Sequence, residues 1–154
     1  MGRMRNIVLC MLVFAVLTGV AIASVTPNVQ LQSYTVNETP LQPGHVVNLT
    51  LQLNSTEWDN CADEVSVQLI TSYPLSIQGP DTNYLGRLCY QDASEKQRTS
   101  FLIPVDPLAQ VGTDQITVII NYQQYFVKYT NTNTLNLRVG GYPHSRHPSC
   151  HPIQ

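Results

Sequence analysis

The chain has 154 residues, only 12% of them charged and 43% hydrophobic, with a formal net charge of −2. That length is enough for one domain, and so few basic side chains leave no face able to neutralise a phosphate backbone, which excludes nucleic acid as the partner. Thr, Asn, Gln and Ser supply the polar surface instead, as in extracellular β proteins, and a long solvated helix is excluded with them.

The chain opens Met1-Gly-Arg-Met-Arg5, continues with an apolar run from Ile7 to Val20, and reaches Ala21-Ile22-Ala23 before Ser24. Positive charge, apolar stretch and small residues at a cleavage site are the three parts of a signal peptide. Residues 1–23 are therefore expected to be removed after Ala23. Loss of Arg3 and Arg5 leaves six basic side chains against ten acidic ones, a net charge of −4. A retained anchor is the alternative, but Ile7 to Ala23 is at the lower length limit for spanning. A lipoprotein site fails because Leu9 precedes Cys10 where a small residue is needed. No second apolar run follows, so no membrane span is expected after cleavage, and the mature chain is expected to be secreted or held at the cell surface.

From Asn28 onward apolar and polar residues alternate with the period of strands. A first strand is expected at Val29 to Val36. In the second, Val47, Leu49, Leu51 and Leu53 point one way and Val46, Asn48, Thr50 and Gln52 the other. The pattern recurs in Val65-Val67-Leu69, near Tyr84 to Leu88, in Thr99-Phe101-Ile103, in Ile116-Val118-Ile120-Tyr122, and in Leu135-Leu137-Val139. Turn-forming stretches separate them: 40–44, 54–62, 72–80, 89–95, 104–112 and 123–125. Seven short strands, each with one apolar face, predict an all-β, seven-stranded immunoglobulin-like sandwich over residues 24–140. Residues 141–154, rich in His, Cys and Pro, are expected to form a disordered tail.

Four segments carry a resemblance: Thr39-Pro40-Leu41-Gln42-Pro43-Gly44, Tyr84-Leu85-Gly86-Arg87-Leu88, Val105-Asp106-Pro107 with Gly112-Thr113, and Thr134 to Val139. In this order they resemble the Ig-like domain of archaeal S-layer-associated secreted proteins, related to bacterial cell-adhesion-related domains. The resemblance spans Pro27 to Gly140. It implies a structural or adhesive role in the cell envelope and no substrate.

Cys61 follows the second strand and Cys89 the fourth, which an up-and-down path brings to one end of the sandwich; in an oxidising compartment they are expected to pair. Sequons at Asn37, Asn48 and Asn54 are candidate glycan acceptors, with Asn54 at a strand end expected to be the most accessible and Asn48 in mid-strand the least. Trp58, Tyr90, Tyr122, Tyr125 and Phe126 fall in or beside loops on the disulfide side. Rings placed there either cap the sandwich or anchor a ligand.

Enzyme chemistry finds no constellation. His45 is the sole His before residue 144, no Gly-x-Ser-x-Gly elbow occurs, and Asp63, Glu64, Asp81 and Asp92 read as loop acids. A blue-copper site lacks its axial Met, since Met1, Met4 and Met11 leave with the leader. No cofactor is expected in the β domain. In the tail, His144, His147, Cys150 and His151 are a candidate Zn or Cu set, although their spacing follows no established zinc pattern. The expected function is a non-catalytic structural or binding module, with a protein or glycan of the cell envelope as partner. Two alternatives stand beside it: a carbohydrate-binding module using the loop aromatics, and a metal-handling secreted protein using the tail. The uncharged, Thr-rich stretch from Tyr129 to Thr134 adds self-association through an edge strand.

Overall fold

A computed structural model of the chain describes residues 28–56, 61–90, 92 and 97–141. Seven strands follow in order: β1 (Val29–Val36), β2 (Val46–Ser55), β3 (Ala62–Ile70), β4 (Thr82–Leu88), β5 (Arg98–Pro104), β6 (Gly112–Gln124) and β7 (Val127–Val139). They form a three-stranded sheet, β1-β2-β5, and a four-stranded sheet, β4-β3-β6-β7, with every strand pairing antiparallel. This is the immunoglobulin-like sandwich that the alternation predicts. Among the described residues no helix is long and apolar enough to cross a membrane. The expected leader, residues 1–23, and the expected tail from residue 142 onward lie outside the described residues.

The two-residue period decides what lies between the sheets. Val47, Leu49, Leu51 and Leu53 of β2 face Val65, Val67 and Leu69 of β3 and Ile116, Val118 and Ile120 of β6 across the core, all essentially inaccessible. Each such side chain contributes about 1.5 to 3 kcal/mol by leaving water. A one-residue slip of any of these strands would turn that face outward, so burial also fixes register.

Along β7 the inward face changes character. Leu135, Leu137 and Val139 are buried, whereas Asn131 and Asn133 at the other end are only half-buried. The sequence pattern marks the last apolar face at Leu135 to Val139; the strand itself extends back to Val127, because Tyr125 and Phe126 close a two-residue hairpin between Gln124 and Val127.

The two lateral sides of the sandwich are finished differently. On the β4 and β5 side, residues 75–78 run along the outer edge of β5, with Ser76 N–H donating to Pro104 O (3.1 Å) and Gln78 N–H to Leu102 O (2.9 Å). Asn83 of β4 reaches across to Thr99 Oγ1 (2.8 Å) and Ser100 O (3.0 Å), tying one sheet to the other. On the β1 and β7 side, Asn131 Nδ2 donates to Val29 O (3.2 Å), and among the described residues the outer backbone edge of β7 is covered only at its end. Leu41 N–H donates to Arg138 O and Gly140 N–H to Leu41 O, both at 2.8 Å. Gly140 is required there, since a Cβ would sit 2.8 Å from Pro40 Cγ.

Candidate functional site at the disulfide end

Cys61 and Cys89 are joined, 28 residues apart, with Cα atoms 4.3 Å apart. The bond continues the Ala62↔Leu88 pair, so it links neighbouring strands of one sheet. Beyond it the chain turns at once: Cys89 N–H donates to Asp92 Oδ2 (2.7 Å) and Asp92 N–H to Cys89 O (3.1 Å).

Close to the disulfide β3 and β4 both lose regular register. Glu64 adopts φ 53° and Gly86 φ 75°, with register shifts on either side of Val65. Positive φ is the expected mark of a bulge residue, and bulges re-aim the side chains around them. Asp63 and Glu64, which read as loop acids in the sequence, belong to β3. Asp63 Oδ1 lies 3.6 Å from Arg87 Nε of β4, an exposed pair worth little to stability.

The β6–β7 hairpin rises beside this pair. A two-residue loop with both central φ values positive is a type I′ turn, whose usual occupants are Asn and Gly. Here they are Tyr125 (φ 48°) and Phe126 (φ 64°), with 68% and 96% of their surface exposed. Left-handed φ costs an L-residue about 1 to 2 kcal/mol, and neither ring gains burial in return. An open depression of about 310 Å³ runs from the hairpin tip to the disulfide, bordered by Cys61, Asp63, Arg87, Tyr125 and Phe126.

Of the five aromatic residues expected to gather here, Tyr125 and Phe126 share this depression, and Tyr90, half exposed, follows Cys89. Trp58 lies outside the described residues. Tyr122 does not belong to the set: it is an inward residue of β6, 3% exposed, stacked on Tyr129 with centroids 5.3 Å apart. Its hydroxyl accepts the buried N–H of Asn28 (2.9 Å), so its role is to anchor the start of β1. Its place in the Ile116-Val118-Ile120 alternation was the signal that put it inside. Arg87 is the polar member that sequence reasoning missed; the Ala62↔Leu88 pairing beside the disulfide sets it opposite Asp63.

Among the sequons, the order of exposure is the reverse of that expected. Asn48 projects outward from β2 and is exposed, Asn37 is exposed, and Asn54 is half-buried. Mid-strand position does not bury an outward-facing residue. Asn37 is engaged, its Oδ1 accepting Asn48 N–H at 2.7 Å. Among the described residues no three His, Cys, Asp or Glu side chains gather as a metal site. The candidate set His144, His147, Cys150 and His151 lies outside the described residues.

No known protein family matches the sequence, and no curated protein matches it. Solved structures do resemble it. The GAE domain of GGA2p from Saccharomyces cerevisiae superposes with a TM-score of 0.51 at 12% identity, over 73% of this chain and 91% of that one. AggA, the major subunit of aggregative adherence fimbriae type I from Escherichia coli, gives 0.45 at 13% identity over 76% and 97%. Spo0M, a sporulation control protein from Bacillus subtilis, gives 0.35 at 13% identity over 77% and 51%. At such identities the first likeness shows the fold alone, in agreement with an immunoglobulin-like sandwich. None of these comparisons bears on the resemblance to S-layer-associated domains.

Proposed function

We propose that this chain is an exported, non-catalytic binding module of the cell envelope, and that its contact end is the β6–β7 hairpin tip beside the disulfide. The observation that carries the reading is the occupancy of the type I′ turn. Tyr125 and Phe126 hold left-handed backbone while exposing 68% and 96% of their surface, a double cost to the isolated domain that a partner would offset. Strain and exposure gathered at one loop tip point to use by a ligand. The tip is convex and ends in a bare phenyl ring, so it suits insertion into a pocket of an envelope protein, as large aromatic anchors do. Export is supported by the leader at residues 1–23 and by the disulfide, which persists in oxidising compartments.

The test is retention on isolated cell envelopes by wild type and by the double variant Tyr125→Asn/Phe126→Gly. The variant should fold and lose retention, and protease treatment of the envelopes should abolish wild-type retention. Equal retention by both proteins would sink the reading. Retention that survives protease but not glycan removal would assign the tip to a carbohydrate instead.

A further inference from the structure

The outer edge of β7 is the least protected strand edge among the described residues. β1 and β4 are interrupted by bulges, and β4 adds Arg87; β5 is covered by residues 75–78. β7 pairs with β6 through all thirteen residues without a register shift, and its outer side is covered only at Arg138 to Gly140. Between Lys128 and Arg138 it carries no charge and no Pro. Natural sheets normally blunt such edges.

Which backbone groups face outward follows from the contacts at its ends. Arg138 O and Gly140 N–H bond Leu41, so even-numbered residues point away from β6. The two-residue turn agrees, since Val127 must bond Gln124 across the hairpin. The outward N–H and C=O groups of Lys128, Thr130, Thr132, Thr134 and Asn136 therefore have no strand partner among the described residues.

The uncovered edge runs from Val127, where the turn begins, to Leu137, where the Leu41 cover begins, and its midpoint is Thr132. The sequence is symmetric about the same residue: Thr130-Asn131-Thr132-Asn133-Thr134 reads identically in both directions. We infer that β7 pairs antiparallel with β7 of a second copy of this chain, on a two-fold axis through Thr132. This goes beyond the hairpin-tip reading and does not depend on it.

In that register the outward amides of Thr132 in the two copies exchange hydrogen bonds, Thr130 does so with Thr134, and Lys128 with Asn136. On the outer face, threonines stand opposite threonines. On the inner face Asn133 stands opposite Asn131 of the second copy, in the closer of the two antiparallel spacings. That pair answers an open need. Asn133 Nδ2 is buried with no hydrogen-bond partner among the described residues, while the Asn131 amide donates its Nδ2 to Val29 O (3.2 Å), leaving its Oδ1 as an acceptor. An unsatisfied buried donor is costly, and a turn of the Asn133 amide toward the edge would carry it to the acceptor that the two-fold supplies. The product is a continuous eight-stranded sheet, β4-β3-β6-β7 joined to its copy, with the hairpin tips at opposite ends. Two separated tips make the assembly bivalent toward an envelope.

The experiment uses the chain as recovered from an exporting host. Sedimentation should give twice the chain mass, falling to one chain mass for Thr132→Pro, which removes an outward N–H that bonds nothing in the monomer; its circular dichroism should match wild type. Register is read by cysteine substitution in a Cys150→Ser background. Thr132→Cys should form a covalent dimer on mild oxidation, Thr130→Cys and Thr134→Cys should not, and a mixture of those two should. Should Thr132→Pro not fold, cross-linking alone decides the matter. A single-chain mass for wild type at every concentration, a dimer that survives a folded Thr132→Pro, or cross-linking by Thr130→Cys alone would each overturn the inference.

Discussion

One side of this sandwich is closed and the other is open, and both are sides of the same four-stranded sheet. At β4 the edge is bulged at Gly86, carries Arg87, is joined covalently to β3 through Cys89 and is tied across to β5 by Asn83. At β7 the edge is long, regular and uncharged between Lys128 and Arg138, with a cover, among the described residues, of two hydrogen bonds at its end. An exposed edge is an invitation to pair, so the contrast shows where the protein refuses association and where it admits it. Hydrogen bonding to β6 holds β7 in place, whereas β4, with its interrupted ladder, depends on the disulfide.

The largest effect is expected from breaking the closed side. Cys61→Ser should lose about 3 to 4 kcal/mol, the chain-entropy value for a loop of this length, and Cys89→Ser the same, with the double variant no worse than either. Thermal unfolding would show a drop on the order of 15 °C; widely different single variants would contradict the pairing. Next in size is Gly140→Ala, whose Cβ would press on Pro40 at 2.8 Å. Overpacking of this kind costs about 1 to 3 kcal/mol, and it should also lift Leu41 from β7, seen as faster exchange of the Leu41 and Gly140 amides.

A change of opposite sign is expected at the hairpin. Tyr125→Asn/Phe126→Gly supplies the residues that a type I′ turn prefers and should raise stability by about 1 to 2 kcal/mol, measured by denaturant unfolding. A loss would show that the rings support the fold and would remove the argument for a binding tip. Smallest is Gly86→Ala. No atom lies within 4 Å of its Cβ position, so only the backbone cost at φ 75° remains, about 1 kcal/mol.

What was legible in the sequence was whatever periodicity and burial control together. The alternation through Val47, Leu49, Leu51 and Leu53 fixes β2 and its inward face, because that face must be buried, and the bounds of β1 are those expected although only Val29 of it is fully buried. The pairing of Cys61 with Cys89 was legible as well, since an up-and-down path leaves both at one end. Less legible was anything set by a departure from periodicity. The bulges at Glu64 and Gly86 have no two-residue signature, and the meeting of Asp63 with Arg87 depends on the cross-strand pairing of Ala62 with Leu88, which no local pattern announces. Tyr122 was placed at the loop end by its neighbours Gln123 to Tyr125, although its own parity belongs to the core. For Asn48, strand position was weighed where the side of the strand decides. Symmetry about Thr132 was present in the letters throughout, but it acquires meaning only once β7 is known to be an edge whose open part is centred on that residue.

The central claim, that the open side of the sheet is completed by a second copy, is tested most directly by amide hydrogen exchange along β7 as protein concentration is varied. The inward amides of Asn131, Asn133 and Leu135, bonded to β6, should stay protected throughout. Protection of Thr130, Thr132, Thr134 and Asn136 should rise together as concentration rises, with the midpoint that sedimentation gives for the dimer. Fast exchange of those four amides at every concentration would contradict the account.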